Sequence, residues 1–352
     1  MNIGAGKIEI VQPGMGASVQ DAGRHGYRHD GMPVSGWLDA PLAHAANALV
    51  GNAIDAAVME LRGAGTQLRI QVGPVRVALA GVITAHIVRV DGTRRTCPAW
   101  QTTTLQSGEH LHLGAAETGC AYLAVSGGLQ LPPQLGSRAS YGRAGLQGLQ
   151  GRAWQPGDVM PCDTVAASDK VDSTVQEWRA APWLTPSDTV RVVWGPQQDH
   201  FSAQALALFE QTTWTTSAEQ DRMGMRLRGP TLSHVSASAA DIVSDAVTPG
   251  AIQVPANGLP IVLLADSQTV GGYPKIATVI RADLPKLAHA RAGTSFRFEV
   301  VSLAQARQAW HDQQRAWTQW LGTREAFLPA GYIDEQALYG GNLVSGMLLA
   351  QP

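Results

Sequence analysis

The chain has 352 residues, 45% hydrophobic and only 15% charged, so it can bury a sizeable core and is not a disordered segment. With 26 Lys and Arg against 28 Asp and Glu, the net charge of −2 offers no field to a polyanion and sets nucleic acid aside as a partner. The 38 glycines and 20 prolines suit short strands and tight turns better than a helical bundle.

The amino terminus, MNIGAGKIEI, has no basic stretch leading into an apolar one, and no apolar run reaches the roughly 18 residues of a membrane span. A cytoplasmic chain without membrane contact is expected. Cys97, Cys120 and Cys162 stand far apart with no CxxC pair, which fits buried or incidental thiols in a reducing compartment.

In chain order, residues 7–12 and 67–90 alternate or run apolar between Gly and Gly-Pro breaks, which predicts strands. Between them Leu38, Leu42, Ala45 and Leu49 recur at helical spacing, behind Asp39 and Pro41 and ahead of Gly51. One helix that plugs or flanks a barrel is expected there. Short strands follow at Leu105, Leu111–Leu113 and Ala121–Val125, and Ser137–Arg152 reads as a loop. A polar, proline-punctuated stretch over 166–187 places a domain boundary.

A second β-rich unit then begins at Val190, with a short helix over Phe201–Phe209 and strands over Val243–Val254 and Ile261–Ala265 about an Asn257-Gly258 turn. Ser302 and Gln305 form a capping-box pattern before Leu303, Trp310 and Trp317, with Trp320 on the same face. This helix docks either on its own domain or on another subunit. The units expected are 1–185, 186–302 and a helical extension over 303–352. VQPGMGASVQ and IQVPANGLPI echo each other faintly, which suggests duplication without proving it.

Common catalytic templates are absent: no G-x-x-x-x-G-K-[ST], no GxGxxG, no HExxH and no G-x-S-x-G occurs. His110 with His112, and His25 with His29, read as surface histidines, and no metal site is expected. Two segments are denser in reactive groups. In SVQDAGRHGYRHDGMPVSGWLD, Gln20, Asp21, Arg24 and His29 lie among glycines that would let backbone approach a ligand. In SDAVTPGAIQVPANGLPIVLLADSQTVGGYPKIATVIRADL, Gln253, Asp266, Gln268, Thr269, Gly271, Gly272, Tyr273 and Lys275 gather around a Gly-Gly-Tyr-Pro loop.

A lysine ending such a loop can neutralise a carboxylate or phosphoryl oxygen, and Asp266 can orient it or accept a proton. Gln253 and Gln268 offer amide donors to a developing oxyanion. A solvated Lys275 in a surface loop, with Asp266 serving local backbone donors, fits the spacing equally well.

Taken with NALVGN, MELRGAG, SRASYGRAGLQGLQGR, WGPQQDHF and DRMGMRLRG, these segments resemble, across most of residues 8–300, the KipA or allophanate hydrolase subunit 2 family of the biotin-dependent carboxyltransferase superfamily. Its bacterial members include the C subunit of ATP-dependent 5-oxoprolinase. The resemblance implies a mainly β chain with two cyclophilin-like β-barrel domains in tandem, and a KipI-type and a LamB-type subunit as partners. It further implies ATP with Mg2+, bound by this chain or a partner, and the opening of 5-oxo-L-proline to L-glutamate.

On that reading Lys275 and Arg222 stabilise phosphoryl or carboxylate oxygens, Asp266 orients Lys275, and the two glutamines, Thr269, the glycines and Tyr273 hold substrate. Gln20, Asp21, Arg24, Ser137 and Arg138 join the substrate-binding set. Alternatives are a urea or amide carboxylase subunit served by biotin carried on another protein, and a regulator that sequesters a KipI-type kinase inhibitor. Val270 stands where the family has a second Thr, a change expected to alter packing only. Gln198 stands where Asp is common, which would matter if that position held magnesium.

Overall fold

The structure, a computed structural model, describes residues 5–146, 151–165, 176–177, 187–323 and 325–326. The first unit holds β1 (Gly6–Gln12), β2 (Ser18–Gln20), α1 (Ala40–Val50), β3 (Val58–Leu61), β4 (Gln67–Val72), β5 (Val75–Ala80) and β6 (Ile83–Val88). It continues through β7 (Arg94–Thr96), β8 (Thr102–Leu105), β9 (His110–Ala116), β10 (Ala121–Val125) and β11 (Val159–Cys162). These strands form a six-stranded sheet, β11-β1-β4-β9-β6-β7, and a five-stranded sheet, β2-β3-β10-β5-β8.

Strand alternation decides which side chain enters which core. Val77, Leu79, Leu123 and Val125 face the apolar core between the two sheets, along with Ile8, Ile10, Leu68 and Ile70. Their neighbours Ala78, Ala80, Tyr122 and Ala124 point the other way, and α1 lies against that face. Alanines there let the helix backbone come close to the sheet. The helix therefore flanks rather than plugs. Its ends follow the sequence signals: Asp39 accepts the Leu42 N–H at 2.9 Å, and Gly51 closes it at φ 78°.

After β12 (Gln176–Glu177), the second unit runs from β13 (Thr189–Trp194) through α2 (Ala203–Gln211), β14 (Thr213–Gln220), β15 (Gly224–Arg228), β16 (Asp245–Ala246) and β17 (Ala251–Gln253). β18 (Ile261–Leu263), β19 (Val270–Gly271), β20 (Lys275–Val279), α3 (Leu284–His289), β21 (Ser295–Val300), α4 (Leu303–Leu321) and β22 (Glu325–Ala326) follow. Seven strands close a barrel in the order β13-β20-β17-β18-β15-β14-β21, sealed by parallel pairing of β21 with β13. Trp214, Phe296 and Phe298 fill it, and Phe209 of α2 stacks on Phe298 with centroids 4.7 Å apart.

The mainly β fold in two units is the one expected. Closure through a continuous ring of hydrogen bonds is seen in the second unit, whereas the first encloses its core between two sheets among the described residues. The expected strand over Val243–Val254 is instead two short strands, because the Ala251 N–H turns back to the Thr248 carbonyl across Pro249 and Gly250. The helix α3 lies outside the sequence expectation. The 185/186 boundary and residues 327–352 lie outside the described residues.

The units are joined by polar and apolar contacts alike. α3 approaches the first unit so closely that a Cβ on Gly119, at φ +89°, would sit 2.6 Å from the Ala288 carbonyl oxygen. His289 Nε2 meets Asp39 Oδ2 at 2.8 Å, and its Nδ1 faces the Thr118 carbonyl. Burial opposes a charged His289 most strongly, but Asp39 and Thr118 outweigh it and raise its pKa above the ordinary 6.5.

The stability this pair adds is thus fully present below about pH 6.5 and is lost as pH rises through the raised folded-state value. His289→Gln should lower the denaturation midpoint most at acidic pH, with the two proteins converging at alkaline pH. Parallel pH profiles for both proteins would show that the pair adds nothing to stability.

The α4 helix carries the full capping box, Ser302 and Gln305 serving each other's backbone N–H. It docks within its own chain: Trp320 packs edge-on to Trp100 of the first unit at 6.0 Å, and Trp317 approaches His44 at 5.8 Å.

Candidate active site

The sequence-selected residues fall into three groups. The first lies where β17, β19 and β20 meet. Lys275 is only 4% exposed, so the solvated-lysine reading does not hold. Its Nζ reaches Asp245 Oδ2 at 2.8 Å, and Asp245 keeps half of its side-chain surface in solvent. Asp266 does not orient Lys275; Asp245 does, because pairing of β16 with β19 sets Asp245 opposite Gly271. The Lys275 ammonium first, then the Ala246 backbone N–H, holds the Asp245 pKa below the usual carboxylate range.

Gln197 bridges this pair, accepting the Lys275 backbone N–H at 3.2 Å and donating to Asp245 at 3.4 Å. Gln268 donates to Gln253 Oε1 at 3.3 Å, and Gln253 donates to the Tyr273 carbonyl at 3.4 Å. Thr269 is buried and its carbonyl accepts the Val247 N–H, while the Gly272 carbonyl accepts that of Ile242. Tyr273 is 42% exposed at the rim. The result is a buried cation beside two amides, closed by a carboxylate that solvent can draw away.

Gly271 permits this packing, since a Cβ there would lie 2.5 Å from Gln253 Nε2. Gly271→Ala is expected to push the Gln253 amide out of place and reduce turnover at least about tenfold, with a smaller effect on folding. Normal turnover in the variant would remove Gln253 from the mechanism.

The second group is Arg222 with Asp266. Arg222 Nε and Nη2 grip both Asp266 oxygens at 2.9 and 3.0 Å, Nη1 meets Glu60 Oε1 at 2.6 Å, and Nη2 also reaches the Gly36 carbonyl. Burial works against this charge most, yet Glu60 and Asp266 outweigh it and raise the Arg222 pKa. Glu60 is fully buried and also accepts the Tyr122 hydroxyl at 2.6 Å. Arg222 is therefore a clasp between the units, with every guanidinium nitrogen committed.

The third group sits in the first unit. Asp21 accepts the Ser137 hydroxyl at 2.5 Å and the Arg138 backbone N–H at 2.6 Å, so it fastens the 137–140 loop onto the segment after β2. The Arg138 guanidinium turns to the Leu131 carbonyl, and Gln20 to Ser18 and the Ser140 carbonyl. Arg24 is 1% exposed and gives one nitrogen to the Ala139 carbonyl, leaving Nε and Nη1 without a partner among the described residues. Burial lowers the Arg24 pKa from its ordinary value, and the charges of Asp21 and Asp266 only partly oppose it.

Sequence reasoning missed Glu60, Gln197 and Asp245, although all three lie inside the motifs MELRGAG, WGPQQDHF and SDAVTPG. Gln198 is exposed at the head of a short 3-10 turn, and Val270 is 56% exposed, so neither substitution disturbs a core. Among the described residues no three His, Cys, Asp or Glu side chains cluster to hold a metal ion, and no helix is long and apolar enough to cross a membrane. Burial pushes the Cys97 and Cys162 thiols up to about 11 and about 12.

Residues 30–300 match the family described as carboxyltransferase domain, subdomain A and B. The chain is 34% identical to the 5-oxoprolinase C subunit of Escherichia coli over 89% of its own length and 97% of that protein. It is 31% identical to urea amidolyase of Lachancea kluyveri over 88% of its length, spanning only 18% of that protein. The crystal structure of K. lactis urea amidolyase superposes with a TM-score of 0.78 at 25% identity, covering 91% of this chain and 20% of that one. The chain belongs to the carboxyltransferase A and B subdomain family.

Proposed function

We propose that the chain is a component of an ATP-dependent 5-oxoprolinase, active with a KipI-type and a LamB-type subunit. The observation that carries this reading is the similarity to the C subunit of that enzyme along nearly its whole length. A five-membered lactam is a stable amide, so its carbonyl carbon needs activation before water attacks. On this reading the amide oxygen takes the γ-phosphoryl group of ATP as the bond to ADP breaks. Water then adds at that carbon, the ring C–N bond opens to an amine, and phosphate leaves.

Lys275 neutralises charge gathering on the phosphoryl and amide oxygens, which take the place Asp245 occupies in the resting site. Gln253 and Gln268 hold the lactam, with Thr269, Gly271, Gly272 and Tyr273 shaping its cradle. Arg222 and Asp266 fix the junction on which the cradle rests, and Gln20, Asp21, Arg24, Ser137 and Arg138 shape its first-unit side.

The test is phosphate release from ATP by the chain reconstituted with both partners, comparing 5-oxo-L-proline, urea and no substrate. Stimulation by 5-oxo-L-proline that vanishes when this chain is omitted is the expected result; a stable complex without stimulation would overturn it. Similarity to urea amidolyase favours a second reading, carboxyl transfer to an amide nitrogen from biotin carried on another protein. Urea-dependent turnover that requires carboxylated biotin would establish it.

A further inference from the structure

The seat for negative charge in the lysine site is built from fixed parts. Gly195 lets the turn over 195–197 lie directly on β20, where a Cβ would collide with the Lys275 carbonyl oxygen, and its N–H donates to the Ile276 carbonyl at 2.8 Å. Gln197 on that turn accepts the Lys275 backbone N–H through Oε1, which fixes the direction of its Nε2. That Nε2 and Lys275 Nζ converge on one oxygen, Asp245 Oδ2, at 3.4 and 2.8 Å.

The carboxylate in the seat hangs on a different kind of support. Val243, Ser244, Asp245 and Ala246 are all exposed, Val243 at 93%, so they form a strap over the site. The strap is pinned at its ends, where the Ile242 N–H donates to the Gly272 carbonyl and the Val247 N–H to the Thr269 carbonyl. Asp245 Oδ1 accepts the N–H of the adjacent Ala246 at 2.7 Å, within the strap itself. Turning the Asp245 side chain outward therefore empties the seat while both pins stay in place.

Two rigid donors facing one solvent-side acceptor describe a receptor that holds a tethered ligand. A mutual brace would bury both partners, whereas Lys275 has 4% of its side chain in solvent and Asp245 has 50%.

We propose that Asp245 is a specificity-determining residue, a built-in rival that occupies the anion seat of Lys275 and Gln197 and yields only to a ligand bringing its own oxyanion together with contacts to Gln253 and Gln268. The inference rests on the lactam-opening reading above for which oxyanion arrives, and adds what keeps the seat closed to simple anions. Free phosphate and small carboxylates offer the charge without the amide contacts, so they fail to displace the tethered group.

The test is calorimetric titration of the full chain alone with inorganic phosphate and with acetate. Asp245→Asn and Asp245→Ala should each tighten phosphate about tenfold, since the competent, open seat is no longer a minor state. Phosphate should also raise the thermal midpoint of both variants more than that of the parent chain. Adding Lys275→Met to Asp245→Asn should abolish the gain. In the assembled complex, Asp245→Asn should make 5-oxo-L-proline-dependent ADP formation about tenfold more sensitive to inhibition by phosphate.

Folded variants that bind phosphate no better than the parent chain, or a gain that persists without Lys275, overturn the proposal. Substrate-dependent ADP formation with unchanged phosphate sensitivity in Asp245→Asn overturns it and leaves the oxoprolinase reading standing. A phosphate gain that depends on Lys275, in a complex that consumes no ATP with 5-oxo-L-proline, supports the rival carboxylate while that reading falls.

Discussion

Lys275→Met is expected to reduce 5-oxo-L-proline-dependent ATP consumption by the assembled complex by about 10²–10³-fold, the usual cost of losing a preorganised donor at a developing charge. The fold should survive. Met has similar length, and the position is 4% exposed, so the apolar replacement suits its surroundings. Its former partner Asp245 is half exposed and can turn to water, so no buried charge is stranded. Full turnover in a stable complex would remove Lys275 from the chemistry. A loss matched by an equal loss of folded protein would make it a packing residue.

The opposite pattern is expected at Arg222. Arg222→Met leaves Glu60, fully buried, and Asp266, 10% exposed at its side chain, facing each other without their shared cation. Breaking a buried ion pair by removing one partner costs about 3–5 kcal/mol, so denaturant unfolding should show a loss of that size. Adding Glu60→Gln to the same chain should recover part of it, because the two changes act on one interaction. Unchanged stability with abolished turnover would instead place Arg222 against substrate.

The contrast between these two cations shows what the sequence can and cannot convey. Helix α1 is legible from Asp39, Pro41 and Gly51, and α4 from Ser302 and Gln305, since caps act within one turn. The Gly-Gly-Tyr-Pro-Lys segment marks a candidate site through local composition. Which carboxylate faces Lys275 is not legible. Asp245 and Asp266 lie in the same motif, and the choice depends on β16 pairing with β19 while Arg222 draws Asp266 across to Glu60. Those contacts join positions up to 162 residues apart and leave no periodic trace. The Val243–Val254 stretch misleads for a related reason: its β-branched residues suggest a strand, but Thr248-Pro249-Gly250 turns the chain within it.

The outward-facing row of Ala78, Ala80, Tyr122 and Ala124 has a consequence for synthesis on the ribosome. The first sheets can pair and close their own core once about 165 residues have emerged, but α1 belongs to the apolar cluster that is completed by α3 and Trp320 of α4. Until those later segments appear, the nascent half carries a finished interior and an unfinished exterior. That interval, set by translation speed, is when the growing chain is most exposed to aggregation and to chaperone capture. Slowing elongation between β11 and α3 would lengthen it without altering a single native contact.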